Sequence, residues 1–134
     1  MKILILGAGR VGSSLASTLS KQDYEVSIVD LNKDKLLRLQ EDYDLATEIG
    51  HASHPNTLER AGADQDTILL AVTNSDECNI TSCQIAKSKF GVKKTICRLS
   101  DSSYLESLEA FGEKNIDIAI GPENEVTEHL VDLI

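Results

Sequence analysis

Three glycines mark the first place where chemistry could happen. Gly7-Ala8-Gly9-Arg10-Val11-Gly12 follows the apolar run Lys2–Leu6 and opens a helical pattern. In that setting the G-x-G-x-x-G spacing suits a phosphate-binding turn. The first glycine makes the tight turn, the second lets a pyrophosphate touch the backbone, and the third lets the helix lie close to the strand. Free N–H groups at the helix start, and the positive end of its dipole, favour an anion there. Arg10 stands at that end and could add a full charge. Taken alone, the motif also fits a merely structural turn.

Asp30 ends the second apolar run, 21 residues after Gly9. At about this spacing a carboxylate accepts both ribose hydroxyls of adenosine. It would also repel a 2′-phosphate, which favours NAD(H) over NADP(H). The alternative is a helix-capping or loop acid. Thr73 and Asn74 follow Val72 at the end of the most apolar run, "TILLAV". Ligands of open parallel sheets sit past such strand ends. Asn74 also reads as the N-cap of the next helix, with Glu77 three residues on as in a capping box. Arg98 ends the fifth run, where it either reaches a phosphate or pairs with Asp101 or Glu106. His51 and His54 form an H-x-x-H without a third ligand at metal-site spacing, so no metal is expected. The chain has no Tyr-x-x-x-Lys, and no catalytic residue is expected.

Around these residues, apolar runs alternate with amphipathic segments. Strands are expected at Lys2–Leu6, Glu25–Val29, Leu45–Ile49, Thr67–Val72, Thr95–Leu99 and Ile116–Ile120. Helices are expected at Arg10–Lys21, Asn32–Asp42 (with Leu36, Leu37 and Leu39 buried), Thr57–Ala61, Asp76–Phe90, Ser103–Phe111 and Pro122–Ile134, the last with proline in its first position. This rhythm gives an α/β fold, a Rossmann-like doubly wound parallel sheet of six strands in the order 3-2-1-4-5-6, with helices on both faces. The apolar end, "EHLVDLI", is expected to pack on another subunit or on a continuation of the chain.

A chain of 134 residues accommodates one domain and leaves no room for a separate substrate domain. Its formal net charge of -9 and scattered basic residues argue against nucleic acid as a partner. The cysteines, Cys78, Cys83 and Cys97, are odd in number and contain no C-x-x-C, so they read as reduced thiols. Cys78 and Cys83 read as core packing. "MKILIL" is too short for a signal peptide or a membrane span, and a cytoplasmic location is expected.

With these pieces together, the chain resembles the regulator-of-potassium-conductance (RCK, or KTN) family. It resembles most the N-terminal nucleotide-binding domain of the regulatory subunit in Trk potassium uptake. The resemblance rests on "GAGRVG", "VDLNKDKL", "GHASHPNTLERAGADQDTILLAVTNSDECNI" and "ICRLSDSSYLESLE", and it covers essentially the whole chain. It implies a subunit, peripheral on the cytoplasmic face of the inner membrane, that senses a nucleotide and gates a membrane potassium transporter. NAD(H) is the implied ligand, with ATP or ADP as the other possibility. By motif match the binding residues are Gly7, Ala8, Gly9, Arg10, Val11, Asp30, Thr73, Asn74 and Arg98. The family also implies a homo-dimer or tetramer, and a longer subunit of which residues 1–134 form a fragment. It departs at His51, where many members carry Asp. The competing expectation is an NAD-dependent oxidoreductase lacking its substrate domain.

Overall fold

The computed structural model describes residues 1–108 and 113–134. Six parallel strands form one sheet in the order β3-β2-β1-β4-β5-β6, as the alternating pattern predicts. The strands are β1 (Lys2–Leu6), β2 (Glu25–Asp30), β3 (Ala46–Ile49), β4 (Thr67–Ala71), β5 (Lys94–Arg98) and β6 (Ile118–Ile120). The helices are α1 (Arg10–Ser20), α2 (Lys33–Asp42), α3 (Pro55–Arg60), α4 (Asp76–Phe90), α5 (Ser102–Glu106) and α6 (Thr127–Asp132). Phe111, the expected end of the fifth helix, lies outside the described residues.

The central strands are apolar throughout because both faces of the sheet are covered. Successive side chains point to opposite faces. Ile3, Ile5, Ile68 and Leu70 therefore join the core that α1 and α6 cover, with Leu15, Leu19 and Leu130. Leu4, Leu6, Leu69 and Ala71 join the core on the other face, with Leu58 of α3 and Ile80 and Cys83 of α4. Register is continuous across the centre, with Leu6 beside Val29 on one side and Ala71 on the other. The C-terminal ends of β1, β2 and β4 thus finish at one level.

Three local expectations are corrected. Leu36 and Leu39 are buried on α2, but Leu37 is 45% exposed. One residue turns a helix by about 100°, so it cannot share the face its neighbours use. The N-cap of α4 is Ser75, not Asn74: the Ser75 side chain accepts from the Cys78 N–H at 3.2 Å. That register puts Glu77 in the second helical position rather than the third, and Asn74 is left facing the cavity described below. The last helix does not begin at Pro122. Pro122–Asn124 is a 3-10 turn, Val126 is extended, and α6 starts at Thr127.

Part of the apolar end packs on this chain's own core. Leu130 is fully buried against this chain's own core, and Val131, Leu133 and Ile134 pack partly upon it. Ser14 of α1 and Thr127 of α6 share a hydroxyl hydrogen bond of 2.5 Å. The terminus thus rests against α1, with Val131, Leu133 and Ile134 still half-buried.

Candidate functional site

The glycine turn is built by backbone demands. Gly7 has φ +104°, and a β-carbon there would meet the Thr73 Cα at 3.0 Å. A β-carbon on Gly12 would meet the Gly7 carbonyl oxygen at 1.7 Å, so only glycine lets α1 begin directly behind the turn. Gly9 differs, since nothing lies within 4 Å of the position its β-carbon would take. That open space lies at the N-terminus of α1, where Gly9 is the N-cap and, among the described residues, no side-chain cap hydrogen bond is made. The donors are left for an anion.

Asp30 closes this turn from the side. Its Oδ1 accepts the Ala8 N–H and its Oδ2 accepts the Asn32 N–H, both at 2.8 Å. The carboxylate thus braces the loop, while the N-cap of α2 is Asn32, whose side chain accepts the Lys35 N–H at 3.2 Å. A carboxylate has about four acceptor positions, so each oxygen can still accept a further hydroxyl. Both readings of Asp30 are chemically compatible.

Eight of the residues singled out by sequence, Gly7, Gly9, Arg10, Val11, Asp30, Thr73, Asn74 and Arg98, line one cavity of about 310 Å³ at the C-terminal edge of the sheet. Ala8 lines a neighbouring groove between α1 and α2 instead. Its contribution to the cavity is the N–H held by Asp30. A second cavity of about 570 Å³ adjoins the first, sharing Gly7, Asp30, Lys35, Thr73 and Asn74, and continues past Gly50, His51, Ala52 and Ser53. Together they form an elongated crevice across the point where the chain reverses its direction of winding, the usual ligand position in such sheets.

Three contributors escape the sequence reading. Lys35 lines both cavities; its signal was the "NKDKL" run that opens α2. Asn79 is fully buried on α4. Its Nδ2 donates to the carbonyls of Thr73 and Arg98 at 3.0 and 2.9 Å, while its Oδ1 accepts from the Thr73 N–H and Oγ1 at 3.0 and 2.7 Å. It ties the ends of β4 and β5 together. Glu125, from the segment before α6, has a side chain only 8% exposed and pairs with Arg98 at 2.5 Å and Arg10 at 3.2 Å. Nothing in its local sequence signals this contact across the fold.

Arg98 therefore pairs with neither Asp101 nor Glu106. Asp101 is turned toward its own helix, capping α5 by accepting the Ser103 N–H and Oγ. Those two hydrogen bonds hold the Asp101 carboxyl below its usual range. Arg98 also donates from Nη1 to the Thr73 carbonyl at 3.2 Å.

His51 lines the larger cavity. Its Nδ1 lies 3.0 Å from the Ser53 hydroxyl, and its ring stacks on His54 with centroids 4.4 Å apart. Among the described residues no group of three or more His, Cys, Asp or Glu is placed to hold a metal. The three cysteines are free thiols, Cys83 and Cys97 fully buried and Cys78 half-buried. Interaction with Cys97, and then burial, push the Cys83 thiol well above its ordinary pKa.

Comparison with known proteins places this geometry. The chain is 44% identical to the Trk system potassium uptake protein TrkA of Vibrio alginolyticus, over its whole length and 30% of that protein. It is 39% identical to the protein of the same name from Halomonas elongata, again over 30% of its length. The chain thus spans less than a third of these relatives. Among solved structures it superposes on the NAD(P)-binding domain of an exopolyphosphatase-related protein from Archaeoglobus fulgidus, with a TM-score of 0.77, 19% identity and coverage of 98% and 95% of the two chains. It superposes also on the TrkA-N domain of the inner membrane protein ybaL from Escherichia coli, with a TM-score of 0.75, 20% identity and coverage of 99% and 96%. These likenesses establish the fold. The TrkA-N domain model matches residues 3–122, a span that holds every residue of the glycine turn, Asp30, Thr73, Asn74 and Arg98. The chain belongs to the TrkA-N domain family.

Proposed function

We propose that this chain is the nucleotide-sensing domain of a regulatory subunit in Trk-type potassium uptake, and that it binds NAD(H) or ATP/ADP in the crevice at the C-terminal edge of its sheet. One observation carries this reading: unsatisfied helix N–H groups, open space at Gly9, and the Asp30 carboxylate all border one elongated crevice. The turn suits a pyrophosphate and Asp30 suits a ribose diol. The cavity past Gly50 and His51 leaves room for the base. A carboxylate at Asp30 favours NAD(H) over NADP(H), because a 2′-phosphate would meet its charge. Gly7, Ala8, Gly9, Arg10 and Val11 hold phosphates, Thr73 and Asn74 border the second half of the crevice, and Arg98 supplies a charge beside it. A GsuK channel bound to NAD shares the fold, with a TM-score of 0.70 at 19% identity.

In this reading the chain signals and does not transform its ligand. It works as a homo-dimer or tetramer beneath a membrane potassium transporter, on the cytoplasmic face, as one domain of a longer subunit. No helix among the described residues is long and apolar enough to cross a membrane, which fits attachment through a transporter. A nucleotide shifts gating only through different affinity for two states of the assembly. The test is potassium uptake by the reconstituted transporter and full-length subunit with NADH, NAD⁺, ATP and ADP. Uptake is expected to differ between at least two nucleotides, and to lose that difference in the Asp30→Ala variant. Uptake indifferent to every nucleotide would overturn the reading, as would steady NADH oxidation by the full-length subunit.

A further inference from the structure

Glu125 lies outside the matched family region, yet its carboxylate sits at the edge of the phosphate cradle. It is nearly buried and holds Arg98 and Arg10 at once. Both arginines line the 310 Å³ cavity with Gly7 and Gly9. Two cations that could face ligand phosphates thus already share an internal anion. The pairing lowers their combined charge from two to one, and it occupies guanidinium donors that phosphate oxygens would use. Arg10 is 77% exposed and held by Glu125, whereas Arg98 is 19% exposed and anchored on Thr73 as well.

Glu125 is also placed to transmit its loss. It sits between the 3-10 turn Pro122–Asn124 and α6. Extended Val126 follows it, and α6 then docks on α1 through Leu130 and the Ser14–Thr127 pair. The break in the expected last helix falls at the residues that carry this carboxylate to the arginines.

We propose that Glu125 is an internal competitor of ligand phosphate, and so a specificity-determining residue of the nucleotide site. Nucleotide phosphates that take up Arg98 and Arg10 displace Glu125 and loosen the segment leading to α6. The competition weighs most on ligands with the greatest phosphate charge, so Glu125 biases the site toward a dinucleotide and against ATP. This rests on the nucleotide reading of the crevice.

The experiment is calorimetric titration of the wild-type chain and of Glu125→Gln with NADH, NAD⁺, ADP and ATP. Glutamine keeps the shape and removes the charge. The variant is expected to bind ATP about tenfold tighter, corresponding to about 1.4 kcal/mol, with a smaller gain for NAD⁺. Affinities equal to wild type, or weaker for ATP, would overturn the inference and leave the nucleotide site standing. Absence of binding by both proteins would overturn the site itself. A second measurement stands if the variant folds poorly: hydrogen exchange of the wild-type chain with and without saturating ATP. Faster exchange at Asn124 and Leu130, whose N–H groups bond Gly121 and Val126, supports the displacement, and unchanged or slower exchange there contradicts it.

Discussion

A methyl group added at Gly9 meets open space, whereas one added at Gly12 meets a carbonyl oxygen at 1.7 Å. The two glycines belong to one motif but do different work, and substitution separates them. Gly12→Ala forces α1 away from β1 and is expected to cost more than about 3 kcal/mol, or to prevent folding, as thermal unfolding would show. Gly9→Ala has φ -76° and ψ -162° available to alanine, so stability should change by less than about 0.5 kcal/mol. Its nucleotide affinity should nevertheless fall, because the methyl group fills the space given to phosphate. Asp30→Ala loses a charged acceptor worth about 1.5–3 kcal/mol per hydrogen bond. Nucleotide binding should weaken at least about tenfold by calorimetry, with some loss of stability from the freed Ala8 and Asn32 N–H groups. The motif spacing already assigns Gly12 to close helix–strand packing and Gly9 to close backbone approach, but it does not show how tightly each position is held. That tightness depends on which backbone atoms stand behind each glycine, and only the fold supplies them.

Among the elements, α4 holds the far wall of the crevice in place. Asn79 joins β4 to β5 through four hydrogen bonds within a fully buried site. Asn79→Ala should cost about 1–3 kcal/mol, the usual penalty for stranding buried polar partners, and should blur the positions of Thr73 and Arg98. At the same N-terminal end, α4 meets the region of α5. Asp76 accepts the Ser100 and Asp101 N–H groups at 2.9 and 2.8 Å. Glu77 accepts from the Tyr104 hydroxyl at 3.1 Å. Its own backbone N–H, then Tyr104, hold the Glu77 carboxyl below the usual range; Asp101 is lowered by its Ser103 bonds. Because folding lowers both pKa values, their stabilising contribution is complete above the unfolded-state values. It disappears as pH falls through the folded ones, below about pH 4. Hydrogen-exchange protection factors at Ser103 and Tyr104 should therefore fall below that pH while the central strands stay protected. Strand order was legible in the sequence because buried parallel strands carry uninterrupted apolar runs. The N-cap of α4 and the break before α6 were not. Ser75 and Asn74 are both good caps, and Glu125, in the break before α6, pairs with arginines distant in sequence.

For the whole molecule, the two cores and the crevice are set by one sheet, and the crevice lies where its winding reverses. The sequence carried this because glycine turn, carboxylate and strand ends recur at fixed offsets along the chain. It could not carry the electrostatics across the crevice, since Arg10, Arg98 and Glu125 meet only after folding. The same folding shelters the thiols. Cys83 and Cys97 should resist alkylation at pH 8 in the native protein while half-buried Cys78 reacts first, as mass spectrometry of partly labelled protein would show. Equal labelling of all three would mean that the α4 face opens readily. The central claim is that an adenine nucleotide is held with its phosphates at the glycine turn and its ribose at Asp30. Calorimetric titration of the purified chain with NADH, NAD⁺, ATP and ADP, repeated on Gly9→Ala and Asp30→Ala, tests it most directly. The account predicts saturable binding of at least one nucleotide at one site per chain, weakened by both substitutions in proteins that remain folded. Absence of binding, or binding untouched by either substitution, would contradict it.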